Sequence, residues 1–299
     1  MKILESKYPI GTIQGQKTAG RYIDGTLYEN LKIAAKNITK DLTYLGICSS
    51  STLEVGAGKT TLMSQIGEAY TDLVNQYHGT HLKFDIKNCV FRPNDLITRS
   101  FELPKYSFIF LDEWEETHYW SELAVTLRQF FRKCRQLNLF IMIIIPNFFQ
   151  LGISYAVSRS LFFIDVRFEG EFDRGYFRFY GFEKKKELYL RGKKEQNYNV
   201  VKADFCGRFT NGYAFDEKEY RKIKYQDMID SEDRIKEESA QKKEESLKLC
   251  CIILKKELKL SSIKISELFR SYGYVIDRHR IMKFLKENEE NSVGEMGTI

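Results

Sequence analysis

Lys59 and Thr60, preceded by Gly56-Ala57-Gly58 and followed by Thr61, form the stretch of this sequence best suited by residue type and spacing to chemistry. Glycines one residue apart let successive backbone N–H groups turn toward one centre, where they attract an anion. A lysine directly after them adds a full positive charge, and the hydroxyl beside it can ligate a hard cation. A helix starting there adds the positive end of its dipole. The combination suits a polyphosphate with Mg²⁺: Gly56, Ala57, Gly58, Lys59, Thr60 and Thr61 around the phosphates, Lys59 against the terminal ones, Thr60 on the metal. About fifty residues later the apolar run YSFIFL delivers Asp112 and Glu113. Asp112 would hold the metal through water and Glu113 would polarise an attacking water. The expected reaction is hydrolysis of a nucleoside triphosphate, with ATP and Mg²⁺ as ligands.

Further residues extend this set. Asn147 stands at the tip of an apolar run and is a candidate sensor of the terminal phosphate. Arg128, Arg132 and Arg135 lie at helical spacing and Arg159 sits in an SRS segment. Arg135 and Arg159 are the preferred pair for stabilising phosphoryl charge in the site of a neighbouring copy. In the pattern G-x-x-x-x-G-K-[ST] the first glycine falls where this chain has Leu53, a departure that bears on hydrolytic rate more than on binding.

Positioning these residues takes strands that alternate with helices. A helix is expected at Tyr28–Ile38, a buried strand at Thr43–Cys48 and a helix from Thr60 to about Asn75. Strands follow at Leu82–Ile86 and Tyr106–Leu111, then a helix from Ser121 to Leu137. Strands Phe140–Ile145 and Leu161–Val166, with a short helix between them, complete the set. The fold class expected is α/β, a mainly parallel sheet covered by helices on both faces. Alternation in YFRFY (176–180) and ELYL (187–190) reads as a basic antiparallel β-hairpin extension. The expected organisation is an entry segment at 1–22, the nucleotide domain at 23–230 and a charged linker or helix at 231–246. A small helical module at 247–288 and an acidic tail at 289–299 follow.

The 299 residues carry 47 basic and 41 acidic side chains, a net charge of +6 that is unevenly spread. Residues 1–120 hold 13 basic and 14 acidic groups, residues 121–286 hold 34 and 23, and residues 287–299 hold four acids and no base. A nearly neutral nucleotide site is thus joined to a basic half, which suits a nucleic-acid partner. An apolar share of 43% excludes global disorder, and six cysteines without a C-x-x-C pair argue against a zinc site or a disulfide framework. MKILESKYPIG has no apolar signal core, and the longest apolar run, Leu139–Ile145, is too short to span a bilayer. No integral membrane segment is expected, and the location expected is cytoplasmic, in the host if the protein is viral.

The order GAGKTT, IFLDEWEE, FFRKCRQLNL, IMIIIPNFFQL and AVSRSLFFIDV resembles the archaeal and phage ATPases of the zonula-occludens-toxin type. Those belong to the FtsK/HerA-like, DNA-pumping branch of P-loop NTPases. The similarity covers roughly Ile23 to Lys224. It implies an ATP-driven homo-oligomer, in some cases a ring, that acts on DNA in the packaging, translocation, segregation or virion assembly of a virus or mobile element. Leu53 departs from the pattern, as does the lack of the membrane helix that filamentous-phage members carry.

The basic half supplies candidate DNA contacts. Lys184, Lys185, Lys186, Arg191, Lys193 and Lys194 are interleaved with aromatic residues, which suits phosphate contact and base stacking as well as it suits a solvated surface. Residues 261–286 read as helix, turn at Gly273, helix. Ile265, Leu268, Phe269, Ile281, Phe284 and Leu285 would face inward, with Arg278, Arg280 and Lys283 outward. That is the pattern of a helix-turn-helix and equally of a plain helical hairpin. Two rival functions remain open: an AAA+ initiator or transposition helper carrying a helix-turn-helix, and a nucleotide-gated DNA-binding scaffold that hydrolyses nothing.

Overall fold

Side chains along the central strands alternate between two apolar layers, and that alternation builds the fold. In β4 (Phe140–Ile144) Phe140, Met142 and Ile144 join one core, while Ile141 and Ile143 join the other. A strand buried on both faces must carry such an uninterrupted apolar run. The computed structural model describes residues 23–51, 56–114, 122–169, 173–210 and 212–295. The entry segment 1–22, Leu53 and residues 296–299 lie outside the described residues.

β4 lies between β1 (Tyr44–Ser49) and β3 (Phe108–Leu111), parallel to both. β2 (Cys89–Val90) extends the parallel set beyond β3, and β5 (Phe162–Glu169) extends it beyond β1. β6 (Asp173–Tyr180) and β7 (Phe205–Arg208) then add antiparallel strands. The sheet order is β2-β3-β4-β1-β5-β6-β7, a mainly parallel α/β sheet. Gly46 in β1 admits its neighbours closely: a Cβ there would lie 2.3 Å from the Phe162 ring and 2.4 Å from Met142 Sδ.

One face is covered by α1 (Gly25–Asn37) and α2 (Lys59–His78). Asp24 caps α1 by accepting from the N–H groups of Thr26 and Leu27. Leu62, Met63, Ile66, Ala69, Tyr70 and Leu73 recur at helical spacing in α2 and are all buried. The other face is covered by α3 (Pro93–Glu102), α4 (Glu122–Lys133), a π-helical turn (Ser154–Arg159) and α5 (Phe182–Gly192). α6 (Glu217–Lys256) follows β7, then α7 (Ser262–Ser271) and α8 (Arg278–Glu295). The chain divides into two compact units, Met1–Lys224 and Tyr225–Ile299, with α6 starting in the first and ending in the second.

Several expectations are corrected. ELYL is not the second arm of a hairpin, because it lies in α5. Lys185, Leu188, Tyr189 and Gly192 are buried at three- and four-residue spacing, and Glu187 pairs with Arg191 four residues on. β6 instead pairs with β5 and β7. Leu82–Ile86 is not a strand; β2 comes later, after a 3₁₀ turn at Ile86–Asn88 that Asp85 caps. Of the two readings of 231–246, linker or helix, the structure has helix, within α6; α8 extends into the tail assigned to 289–299. In the second unit Ile265, Ile281 and Phe284 form a core with Cys251 and Ile276, whereas Leu268 is exposed. No helix among the described residues is long and apolar enough to cross a membrane.

Candidate phosphate-binding site

The parallel strands set the location. β1 and β3 both point their C-terminal ends toward one edge of the sheet, with β4 between them. The helix after β1 packs on one face and the helices after β2 and β3 pack on the other. A crevice at the carboxyl ends of such strands, where the connections part, is where open α/β sheets bind ligands.

The segment after β1 enters this crevice. Gly56 (φ 91°) and Gly58 (φ 96°) adopt left-handed backbone, open to glycine at little cost, and α2 begins at Lys59. Gly58 is also sterically fixed, since a Cβ would lie 2.9 Å from the Phe209 ring. The N-cap residue, Gly58, has no side chain to cap the start of α2, and first-turn N–H groups of a helix are suited to an anion.

The segment after β3 meets it. Asp112 is 1% exposed, and its N–H is held by the Val90 carbonyl at 2.8 Å. Thr60 Oγ1 donates to Asp112 Oδ1 at 3.0 Å, joining residues 52 positions apart. Glu113 takes a positive φ of 59°, uncommon outside glycine, and its half-exposed carboxylate lines the cavity above the loop. That cavity measures about 280 Å³ and is bounded by all six residues from Gly56 to Thr61 together with Glu113.

The remaining wall comes from residues that sequence reasoning missed. Tyr213, Tyr220, Arg221 and Lys224 close the cavity from the connection after β7 and the first turns of α6. Tyr220 donates from its hydroxyl to Asp112 Oδ2 at 2.6 Å. Lys224 Nζ stands 3.3 Å from Asp112 Oδ2 and 2.9 Å from Glu113 Oε2. Burial pulls the Lys224 ammonium down, but the two carboxylates outweigh it and hold its pKa above the usual lysine value. The strap ahead of α6 is tied to α2: Gln65 Nε2 donates to the carbonyls of Thr210 and Gly212 at 2.8 and 2.6 Å, and Ala214 N–H donates to Ser64 Oγ at 3.1 Å. In the sequence the only sign of this wall is the aromatic run GYAF and Tyr220 before a nearly all-charged helix.

The other candidate residues fall elsewhere. Asn147 spends its side chain locally: Oδ1 accepts from Phe149 N–H (2.9 Å) and the Tyr198 hydroxyl (3.1 Å), and Nδ2 donates to Gln196. It is not among the residues lining the cavity. Arg135 lies in the 3₁₀ turn before β4, and Arg159 ends the π-helical turn before β5. Both are exposed at the N-terminal edge of the sheet, opposite the loop. The six residues of β1 separate the two edges by roughly 20 Å, so neither arginine serves the site of its own chain.

Among the candidate DNA contacts, Lys185 is corrected outright. It is fully buried, with Nζ donating to the Ser160 carbonyl, to Ser160 Oγ at 2.9 Å and to the Val157 carbonyl at 3.3 Å, beyond reach of a polyanion. Lys184 pairs with Asp204 at 3.0 Å, Arg191 with Glu187, and Lys193 donates to the Tyr189 hydroxyl. Lys186 and Lys194 are exposed. In the second unit Arg278 is exposed, Arg280 meets Glu244 at 3.2 Å and Lys283 meets Glu287 at 4.0 Å. The chain matches no family model, no curated protein and no solved structure.

Proposed function

We propose that the chain is a Mg²⁺-dependent P-loop ATPase whose nucleotide state is coupled to DNA. The observation that carries the reading is the contact between Thr60 and Asp112, which brings the first turn of α2 and the end of β3 to one point beside two left-handed glycines. A hydroxyl and a buried carboxylate 3.0 Å apart are hard-oxygen donors of the kind Mg²⁺ takes. The glycine backbone beside them lines a cavity of about 280 Å³ and, at Gly58, leaves no room for a side chain. The residues present therefore fit the metal and the nucleotide. Thr60 and, through water, Asp112 would hold Mg²⁺. The bound metal would neutralise phosphate oxygens as charge moves onto the leaving group.

The chain's own residues do the rest. Lys59 and the N-terminus of α2 bind and orient the phosphates. Glu113, turned into the cavity by its left-handed backbone, accepts a hydrogen bond from the attacking water and aligns it. Arg135 and Arg159 can complete only a neighbouring copy's site, which is what a ring of identical subunits requires. Support for DNA as partner comes from the basic half of the chain, where Lys186, Lys194 and Arg278 are open to solvent.

The test is ATP turnover, with and without DNA, for the wild type, Lys59→Ala and Glu113→Gln. Both variants should lose roughly a hundredfold or more, the scale of removing one catalytic group. Equal turnover in all three would refute the reading.

A further inference from the structure

The Asp112–Glu113 pair already carries a cation of its own. Lys224 Nζ bridges Asp112 Oδ2 and Glu113 Oε2 at 3.3 and 2.9 Å, and the Tyr220 hydroxyl takes the same Asp112 oxygen at 2.6 Å. Asp112 Oδ1 is taken by Thr60. The two acidic groups assigned above to metal and water are thus both engaged by adjacent turns of α6, four residues apart on one face. The contact is not incidental. Tyr220 is buried and packed on Phe91, Tyr213 and Phe215, and the connection leading to it is tied to α2 through Gln65 and Ser64.

A divalent cation on Thr60 and Asp112 would stand beside this ammonium, and like charges at such range repel, the more so because Asp112 is buried. Lys224 also lines the cavity that faces Lys59, so an ammonium leaving the carboxylates meets the phosphate end of the ligand.

We propose that Lys224 is a built-in counter-cation of Asp112 and Glu113, which the divalent cation must displace, and which then turns to the terminal phosphate in the same cavity. The inference rests on the nucleotide-site reading above. In the free protein the clasp neutralises the carboxylates and ties Glu113 down. With nucleotide and metal bound, Glu113 is released and Lys224 becomes a second positive contact to phosphate. Lys224 is therefore a positioning residue in the free state and a ligand contact in the bound one.

The experiment is equilibrium binding of a fluorescent, non-hydrolysable ATP analogue to the full chain, titrated with Mg²⁺ from an EDTA baseline. Lys224→Met should bind the analogue at about tenfold lower Mg²⁺ than the wild type, while its affinity for the analogue at saturating Mg²⁺ falls. Lys224→Arg, which keeps the charge, should restore wild-type Mg²⁺ dependence. Tyr220→Phe, which removes one hydroxyl from a packed ring, should shift it in the same direction as Lys224→Met by a smaller factor. A Mg²⁺ requirement that is unchanged or raised in Lys224→Met, in a wild type that binds the analogue, overturns the clasp and leaves the nucleotide site standing. A wild type that binds no analogue at any Mg²⁺ concentration overturns both.

Discussion

Replacing Lys185 by methionine should change how the stability of the first unit depends on pH. The side chain is fully buried, held by the Val157 and Ser160 carbonyls and by Ser160 Oγ, with its ammonium 4.9 Å from the Phe182 ring centroid. Burial pulls its pKa from 10.5 down to about 8, and Glu183, whose charge acts the other way, does not restore it. Below about pH 8 the folded and unfolded chains both carry the proton, and the folded chain bears the full cost of the buried charge. Between 8 and 10.5 the unfolded chain keeps a proton that the folded one has released, so stability rises with pH; above 10.5 nothing more is gained. The gap between the two values is worth roughly 3–4 kcal/mol at about 1.4 kcal/mol per unit. Both tryptophans, Trp114 and Trp120, lie in the first unit, so urea unfolding followed by their fluorescence reads that unit alone. Comparing wild type with Lys185→Met cancels every other titrating group. The wild type should gain roughly 2–3 kcal/mol on the variant between about pH 7 and about pH 10. A difference constant to within about 0.5 kcal/mol over that range would show that the buried ammonium is not the penalised group described here.

Two further substitutions test the frame around the site. Gly58→Ala forces a side chain into left-handed backbone and against Phe209, so urea unfolding should show a loss of about 2 kcal/mol. Arg178→Met strips buried Asp165 of the guanidinium that meets it at 2.7 Å; burial already pushes that carboxyl up, and Arg178 only partly pulls it back. The single variant should lose roughly 3–5 kcal/mol, and adding Asp165→Asn should recover most of it in a double-mutant cycle.

The sequence displayed whatever rests on local pattern. GAGKTT lies within a few residues of its strand and its helix, and IFLDE carries strand and acidic pair in one run, so both were readable without a partner. Alternation misleads at ELYL, because Leu188 and Leu190 sit at strand spacing although Leu190 is exposed; burial of Lys185, Leu188, Tyr189 and Gly192 at three- and four-residue spacing settles it for helix. α3 leaves no visible stripe in the sequence, because Leu96 and Ser100 are its only buried residues. The wall formed by Tyr213, Tyr220, Arg221 and Lys224 is invisible in the sequence for another reason. Tyr220 and Lys224 meet Asp112 across 108 and 112 positions, and a contact of that separation leaves no periodicity behind. Lys185 shows the converse limit: inside KKK its chemistry looked like that of its neighbours, and only tertiary packing separates it from them.

The sheet has a consequence for assembly. Its rows of backbone donors and acceptors end at β2, two residues long, and at β7, four residues long. Stubs of that size offer too few open N–H and C=O groups to template another strand, which is how natural sheets avoid edge-to-edge growth. If copies of this chain associate, ladder pairing at the β2 and β7 edges does not supply the adhesion. Side chains on the faces and strand ends would have to, and a boundary built from side chains can loosen and re-form without tearing a sheet apart.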